Sequence, residues 1–405
     1  MPLASSSRVG LRIKPEVTFG TPVSATKCYS LRTTGESLKY ALTTDTSKEI
    51  RSDRQTTDLI ITGANTAGAI NFELSYAEYD SLIEAALQGA WVAFGTNGVS
   101  AVIPTSATFA ASTLTAGAAT SGVNIFTALQ LGQWVKIAGS SIAGQNIIAQ
   151  VSKTVSPTST VLTFEGTPFT GLTGNGGAAV TVSAAQVKNG TTQRSFTVEK
   201  NFADITQNIT NVGLTVNKMS LALASGSILT GSFDFLGKSA SAQAGSLLHA
   251  TVDPSTAFGV MNGVNNVSNI LEGGAVLSGT YIKSLSMDLS NNLRGQEAIG
   301  TLGSVSVASG SIDLTGSLEV YFADATLYQK FINNTTSSLS FRVNDSSLNG
   351  YVITLPAIEY SDATITAGSI NQDVMVSMNF TAVREPVSGN TIVVDRVGAA
   401  VVPLV

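Results

Sequence analysis

The chain has 405 residues, of which 43% are apolar and only 12% charged, with 22 Lys and Arg against 27 Asp and Glu for a net charge of −5. That length predicts more than one domain, and charge at about half the roughly 25% usual for soluble proteins suits a surface covered by neighbouring subunits, or a secreted β-protein with a polar, uncharged exterior. The acidic balance argues against a conventional nucleic-acid binder, no apolar run of about 20 residues predicts a membrane span, and the opening MPLASSSRVGLRIKPE has no apolar signal core.

In chain order, the first signals are alternating strands. Cys28 stands alone, so no intrachain disulfide is expected and assembly in a cytosol is the simpler inference. Leu38, Tyr40 and Leu42, then Ile70, Phe72 and Leu74, recur with period 2, the mark of half-buried antiparallel strands. At Ser75-Tyr76-Ala77-Glu78 the Ser and Glu fit a capping box. Tyr79, Leu82, Ile83, Ala86 and Leu87 follow at helical spacing, and Gly89 suits the stop. Residues 95–190 are rich in Ala, Thr, Ser and Gly and nearly free of charge. Runs such as Trp134–Ile137 and Thr160–Phe164 predict a small β-barrel or sandwich there. Alternation resumes at Met219, Leu221 and Leu223. A second short helix is expected from Asp324 through Leu327, Tyr328, Phe331 and Ile332 to Asn333-Asn334, and Val374, Val376, Met378 and Phe380 close the series. Each helix has one apolar face and is expected to lie across a sheet.

The order strand, loop, strand, helix, strands occurs twice, which predicts a duplication. Ser37–Leu42 matches Ser284–Leu289, and Glu73–Glu78 matches Glu319–Asp324. Ser195–Val198 matches Ser340–Val343, and Phe233–Phe235 matches Met378–Phe380. From Asp324 to Ser340 is a step of 16 residues, against 117 from Glu78 to Ser195, so the first copy carries an insertion. The expected organisation is a discontinuous first unit, 1–95 with 190–245, an inserted β-domain at 96–189, a second unit at 246–385 and a C-terminal arm at 386–405. The fold class is mainly β, two tandem antiparallel sandwich or barrel units, each with a short flanking helix.

Catalytic chemistry finds little support. His249 is the only histidine, a His-containing triad would have to centre on it, and a structural or exposed role is expected. Cys28 lacks a second Cys or nearby His and reads as an inert thiol. No ligand spacing predicts a metal and no Gly-rich turn a phosphate loop, so neither metal nor cofactor is expected. Trp91 and Trp134 read as core anchors. A glycan-binding adhesin or capsid decoration would need exposed aromatics at 95–190, which is aromatic-poor. A polysaccharide-acting enzyme would need paired carboxylates there, and Glu165 is the one acidic residue.

Gly35–Leu38, Glu49–Gln55, Glu73–Tyr76 through Trp91, Arg194–Lys200 and Gly231–Gly237 together resemble segments of the tail tube proteins of long-tailed, siphovirus-like bacteriophages. The resemblance covers about residues 10–95 and 190–240; the C-terminal half is reached only through the repeat. It implies two packed antiparallel sheets flanked by a helix, closing with other copies into rings whose inner wall is a β-barrel through which DNA passes without specific binding. Its partners would be itself, a tail terminator and distal tail proteins. It further implies an inter-ring loop at 43–66 carrying Lys48, Glu49, Arg51, Asp53, Arg54 and Asp58, a shorter counterpart at 290–304 with Arg294 and Glu297, and arms at 1–28 and 383–405. With two units per chain, three chains would complete a pseudo-sixfold ring. Four lumen strands per unit would give ~24 strands, ~115 Å of circumference at ~4.8 Å each, and a diameter near ~37 Å. Glu73, Asp234, Glu319 and Glu359 are candidate wall carboxylates, since an acidic or neutral wall lets phosphates slide.

Overall fold

The computed structural model describes residues 3–24, 27–94, 106–117, 126–177, 180–248, 251–277 and 281–398, together with the backbone of 101–103. The main strands are β1 (Val9–Pro15), β2 (Cys28–Leu31), β3 (Lys39–Thr46) and β4 (Leu59–Glu73), followed by helix α1 (Asp80–Leu87). After the inserted segment come β5 (Ala185–Lys188), β6 (Ser195–Phe202), β7 (Gln207–Ala224) and β8 (Thr230–Gly237). The remainder holds β9 (Val267–Glu272), β10 (Ile282–Ser290), β11 (Asp313–Tyr321), helix α2 (Thr326–Ile332), β12 (Ser337–Asn344), β13 (Gly350–Ala367), β14 (Val374–Ala382) and β15 (Val393–Val397). The molecule is mainly β, as its alternating sequence requires.

One pairing order occurs twice, antiparallel throughout. The first set runs β3–β4–β8–β7–β6–β1. The second runs β10–β11–β14–β13–β12–β9. Both β7 and β13 are 18 residues long, and each has a register shift midway, between Val216 and Lys218 and between Tyr360 and Asp362. Such a bulge bends a strand. It lets the first half of β7 pair with β6 while the second half pairs with β8. Apolar side chains from both sets meet in one core that includes Phe72, Phe233, Leu285, Met287, Phe341 and Phe380.

The pairings correct the alignment of the two copies by one pleat. Gly68 faces Phe235, and Gly316 faces Phe380, so Gly68 and Gly316 are equivalent. The sequence match of Glu73 to Glu319 would instead place Gly68 against Leu314. A period-2 pattern matches itself at every shift of two, so it fixes the face of each residue but not the register.

Several local expectations are corrected. Tyr79, not Ser75, is the residue before α1, and no side chain caps it. Ser75 is buried in a backbone bridge to Val260, and Glu78 accepts the amides of Arg32 and Thr256 instead of reaching back to a cap. At the other end Gln88 takes the left-handed turn (φ 50°). Gly89 follows it because a Cβ there would lie 2.1 Å from the Lys188 carbonyl. The expected arms are largely tied down. Strand β1 pairs with β2 and β6 and buries Leu11 and Ile13. Strand β15 lies between β5 and β13 with Val394 and Val397 buried, because its apolar face continues the core. Residues 399–405 and His249 fall outside the described residues.

The inserted segment has its own core, from Phe94 to Ala184, under two four-stranded sheets. All five of its aromatic residues, Phe109, Phe126, Trp134, Phe164 and Phe169, are buried. Trp134 and Ile148 pack on Val352 and Val397, and Lys136 donates to the Ser347 carbonyl (2.6 Å) and Asn349 Oδ1 (2.8 Å).

Candidate assembly surface

The second half of β7 pairs with β8 on one side and β10 on the other, from Lys218↔Ser290 to Ala224↔Ser284. The two repeated strand sets are therefore joined edge to edge, giving a continuous antiparallel order β3–β4–β8–β7–β10–β11–β14–β13. One face holds Ile70, Phe72, Met219, Leu221, Phe233, Leu285, Met287 and Leu318, all buried in the core. By alternation the other face carries Ser, Thr, Ala and Asn with a few charges.

Glu73, Asp234, Glu319 and Glu359 all lie on this second face, opposite Thr230, Lys218, Ser377 and Thr381 or in register with them. Asp288, Asp313 and Asp362 occupy the same face and were missed. The signal was available, since each sits one position from a core residue in an alternating run. Carboxylates thus outnumber the lysines Lys39 and Lys218, and Lys283 at the rim is ion-paired to Glu319 (3.2 Å). Partial burial raises the Asp234 carboxyl above its usual range; Lys218 opposes that shift and Asp288 adds to it. Cross-strand hydroxyl pairs, Ser220 with Ser232 (2.9 Å) and Ser286 with Ser317 (2.7 Å), satisfy the polar face without charge.

Half of the loop expected at 43–66 is strand, because β3 and β4 extend as a ladder to Thr46↔Leu59. Only 47–58 is a loop. Lys48, Glu49, Arg51, Asp53, Arg54 and Asp58 lie on it, all exposed. Arg51 and Asp53 pair with each other (2.9 Å), Thr57 donates to Glu49 (3.3 Å), and Asp58 caps the Leu59 amide (2.8 Å). The Arg51 contact also holds the Asp53 carboxyl below its usual range. The sequence pointed to these charges but not to the apolar side chains beside them: Leu42, Ile50, Leu59, Ile60 and Ile61 are at least half exposed or nearly so, Ile50 completely. In the second copy Arg294 lies in a short strand (Arg294–Gln296) paired with Ser306–Ala308, and Glu297 follows it. There Ile299 is fully exposed, so both hairpins present an isoleucine at the tip.

The helices differ in burial. Helix α1 packs on β7 and α2 on β13. In α1, Asp80 accepts Tyr351 Oη (2.5 Å) and forms an ion pair with Arg396. Both charges are 5% exposed. The Tyr351 hydroxyl also accepts the Ala77 amide (2.8 Å), and Trp91 lies beneath the Arg396 guanidinium at 5.5 Å. Burial alone would lower the Arg396 pKa; the Asp80 carboxylate more than offsets it. In α2 only Leu327 is buried, and Ile332 is 62% exposed.

Burial raises the Cys28 thiol pKa, which suits an inert side chain. Among the described residues no three His, Cys, Asp or Glu are placed to hold a metal, and no helix is long and apolar enough to cross a membrane. No curated protein matches the chain. The profile of the family described as Phage tail tube protein matches residues 6–382, nearly the whole length. A mainly β chain with a repeated, edge-joined sheet and a sparsely charged outer face belongs, by that match, to the phage tail tube protein family.

Proposed function

We propose that three copies of this chain close into a pseudo-sixfold ring, and that rings stack into the hollow tube of a long, non-contractile phage tail through which DNA moves. The observation that carries this reading is the repeated four-strand order joined edge to edge inside one chain, with two strand edges left open. Each chain then gives eight strands to the wall and three chains give 24, close to the width duplex DNA requires. Closure removes the open edges, which otherwise invite uncontrolled pairing.

The polar face of the sheet would line the lumen. Glu73, Asp234, Glu319 and Glu359, joined by Asp288, Asp313 and Asp362, repel phosphates, while sparse lysines avoid the salt-dependent affinity that a basic wall creates. The hairpin around 47–58 would reach the adjacent ring, burying Ile50 and its apolar neighbours and setting register through the mixed charges. Its counterpart with Arg294 and Glu297 would do so in the second copy. The inserted domain would sit on the exterior, and terminator and distal tail proteins would cap the two ends. On this reading the chain is assembled in the host cytoplasm, acts in the virion tail and has no catalytic role. The rival reading, a glycan-binding decoration, is disfavoured because every aromatic side chain of the insertion is buried.

Negative-stain microscopy of purified protein tests the proposal. Hollow, regularly striated tubes are expected; a chain that stays monomeric at high concentration would contradict it.

A further inference from the structure

The eight-strand order ends on two edges that no described strand occupies. On one side β3 pairs only with β4. On the other, the second half of β13 pairs only with β14. The same positions in the interior are filled, since β7 corresponds to β13 and β10 to β3, and β7 pairs with β10. The chain thus contains one completed example of the junction that its two ends lack.

Register follows from the pairings. Lys218 faces Asp234 and Asp362 faces Asn379, which makes Asp362 the equivalent of Lys218. Gly316 faces Met287, while Gly68 lies beside Leu38, whose Cα a Cβ there would approach to 2.7 Å. Leu38 is therefore the equivalent of Met287, and Lys39 of Asp288. Inside the chain Leu221 faces Met287, Met219 faces Leu289, and Lys218 lies diagonal to Asp288.

We propose that the second half of β13 joins β3 of a second copy in the register of β7 with β10, placing Ile365 opposite Leu38, Ala363 opposite Tyr40 and Asp362 diagonal to Lys39, with the charge order of the internal junction reversed. This rests on the tube reading above and names the contact that closes its ring. Apolar residues meet on the core face, where Ile365 is now 37% exposed and Leu38 already buried. Joining the strands exchanges the Leu38 backbone contacts to Glu36 (2.8 Å) and Lys200 (2.7 Å) for ladder hydrogen bonds. Opposite charges meet on the polar face. Even the flanking residue follows the reversal, because Asp234 beside Lys218 becomes Asn379 beside Asp362, where a carboxylate would repel.

The reversal also keeps the two junctions from exchanging partners while chains fold side by side. Strand β7 on a foreign β3 would set Lys218 near Lys39, and β13 on β10 would set Asp362 near Asp288. Helix α2 supplies independent support. The cover over α1 comes from the unit beyond the β7 edge, through Tyr351 and Arg396. Beyond the β13 edge the described residues hold no such unit, and Ile332 of α2 is left exposed. A cross-strand charge contact changes a pairing constant by a factor of roughly two to five, and three junctions per ring multiply this toward ~100-fold.

The test reverses the charges and reads tube yield by sedimentation and microscopy. Lys39→Asp or Asp362→Lys alone is expected to cut the yield at least tenfold, and the double variant Lys39→Asp/Asp362→Lys to restore it, which excludes misfolding as the cause. In wild-type background, Ser37→Cys with Thr366→Cys should oxidise to a covalent trimer on a non-reducing gel. Wild-type tubes that tolerate both single reversals, or that cross-link only when the cysteines are shifted by two residues, overturn the proposal and leave the tube reading standing. A wild-type chain that forms no tube removes the tube reading and this junction with it.

Discussion

Helices α1 and α2 occupy equivalent places in the two repeated strand sets, yet one is interior and the other half bare. Asp80 in α1 is locked to Tyr351 of the second set and to Arg396 of β15, all buried. Each helix also makes a partly exposed ion pair beside its own set, Glu84 with Arg194 (3.1 Å) in α1 and Lys330 with Glu272 (2.5 Å) in α2. Among the described residues, however, α2 has no ion pair like the Asp80 lock. The difference teaches that the first set is finished by the second, whereas the described residues give the second set no such cover. On the tube reading, repetition inside one chain turns one intermolecular contact into a packed core and leaves the other for assembly.

The largest effect that would sharpen this contrast is at Asp80. Asp80→Ala strands the Arg396 guanidinium in the interior, and about 3–5 kcal/mol of stability should be lost in denaturant unfolding of the unassembled chain. Lys330→Ala should cost less, about 1–3 kcal/mol in the same measurement, because the buried Glu272 carboxylate keeps the Ser337 and Tyr360 hydroxyls as donors. Equal losses would erase the distinction between the two helices.

Next in size is a glycine–phenylalanine contact found once in each set but with the strands exchanged, between Gly231 on β8 and Phe72 on β4 and between Gly316 on β11 and Phe380 on β14. Gly231 lies under the Phe72 ring and Gly316 under the Phe380 ring, where an added Cβ would come within 2.4 and 2.3 Å respectively. Gly231→Ala and Gly316→Ala should each cost about 1–3 kcal/mol through overpacking, read by the same unfolding curves. A neutral result at either site would show that the ring above that glycine gives way without cost.

How much of this was legible in the residues can be argued from these same positions. Alternation revealed which side chains of β4, β7, β10 and β14 face the core, because burial on one face demands it. It could not reveal register, and the two copies were aligned one pleat out. Ser75 and Glu78 satisfy a capping pattern locally, but burial of Ser75 against Val260 and the use of Glu78 by Arg32 and Thr256 depend on distant chain. Strands β1 and β15 were mistaken for arms because both lie outside the repeated pattern. Of the proposed assembly surface, the charged hairpin was visible, whereas the proposed pairing of Asp362 with Lys39 could be read only from how β7 and β10 meet.

A pH effect tests the seam where β15 enters the first set. Asp395 is buried, donated to by Gln186 (2.7 Å), and its pKa is pushed up to about 7, chiefly by burial. The folded carboxyl therefore holds a proton that the unfolded one releases near 4, so this contribution is full below about pH 4 and is lost as pH rises through about 7. Asp395→Asn should flatten the fall in thermal stability between pH 4 and 7 and raise stability at pH 8 by on the order of 1–2 kcal/mol. An unchanged profile would mean that Asp395 stays ionised in the fold.

The smallest effect on the isolated chain should come from Ile332→Ser. Exposed in α2, it should change unfolding by less than about 0.5 kcal/mol. If α2 is covered in the ring as α1 is covered within the chain, the same change should still lower tube yield severalfold in a sedimentation assay. A normal yield would leave α2 as plain surface.

The central claim is tested most directly by cryo-electron microscopy of assembled tubes, counting chains per ring. The account predicts three chains and a 24-stranded inner wall, with β13 of each chain beside β3 of the next. Six chains per ring, or a wall in which β3 and β13 remain unpaired, would contradict it.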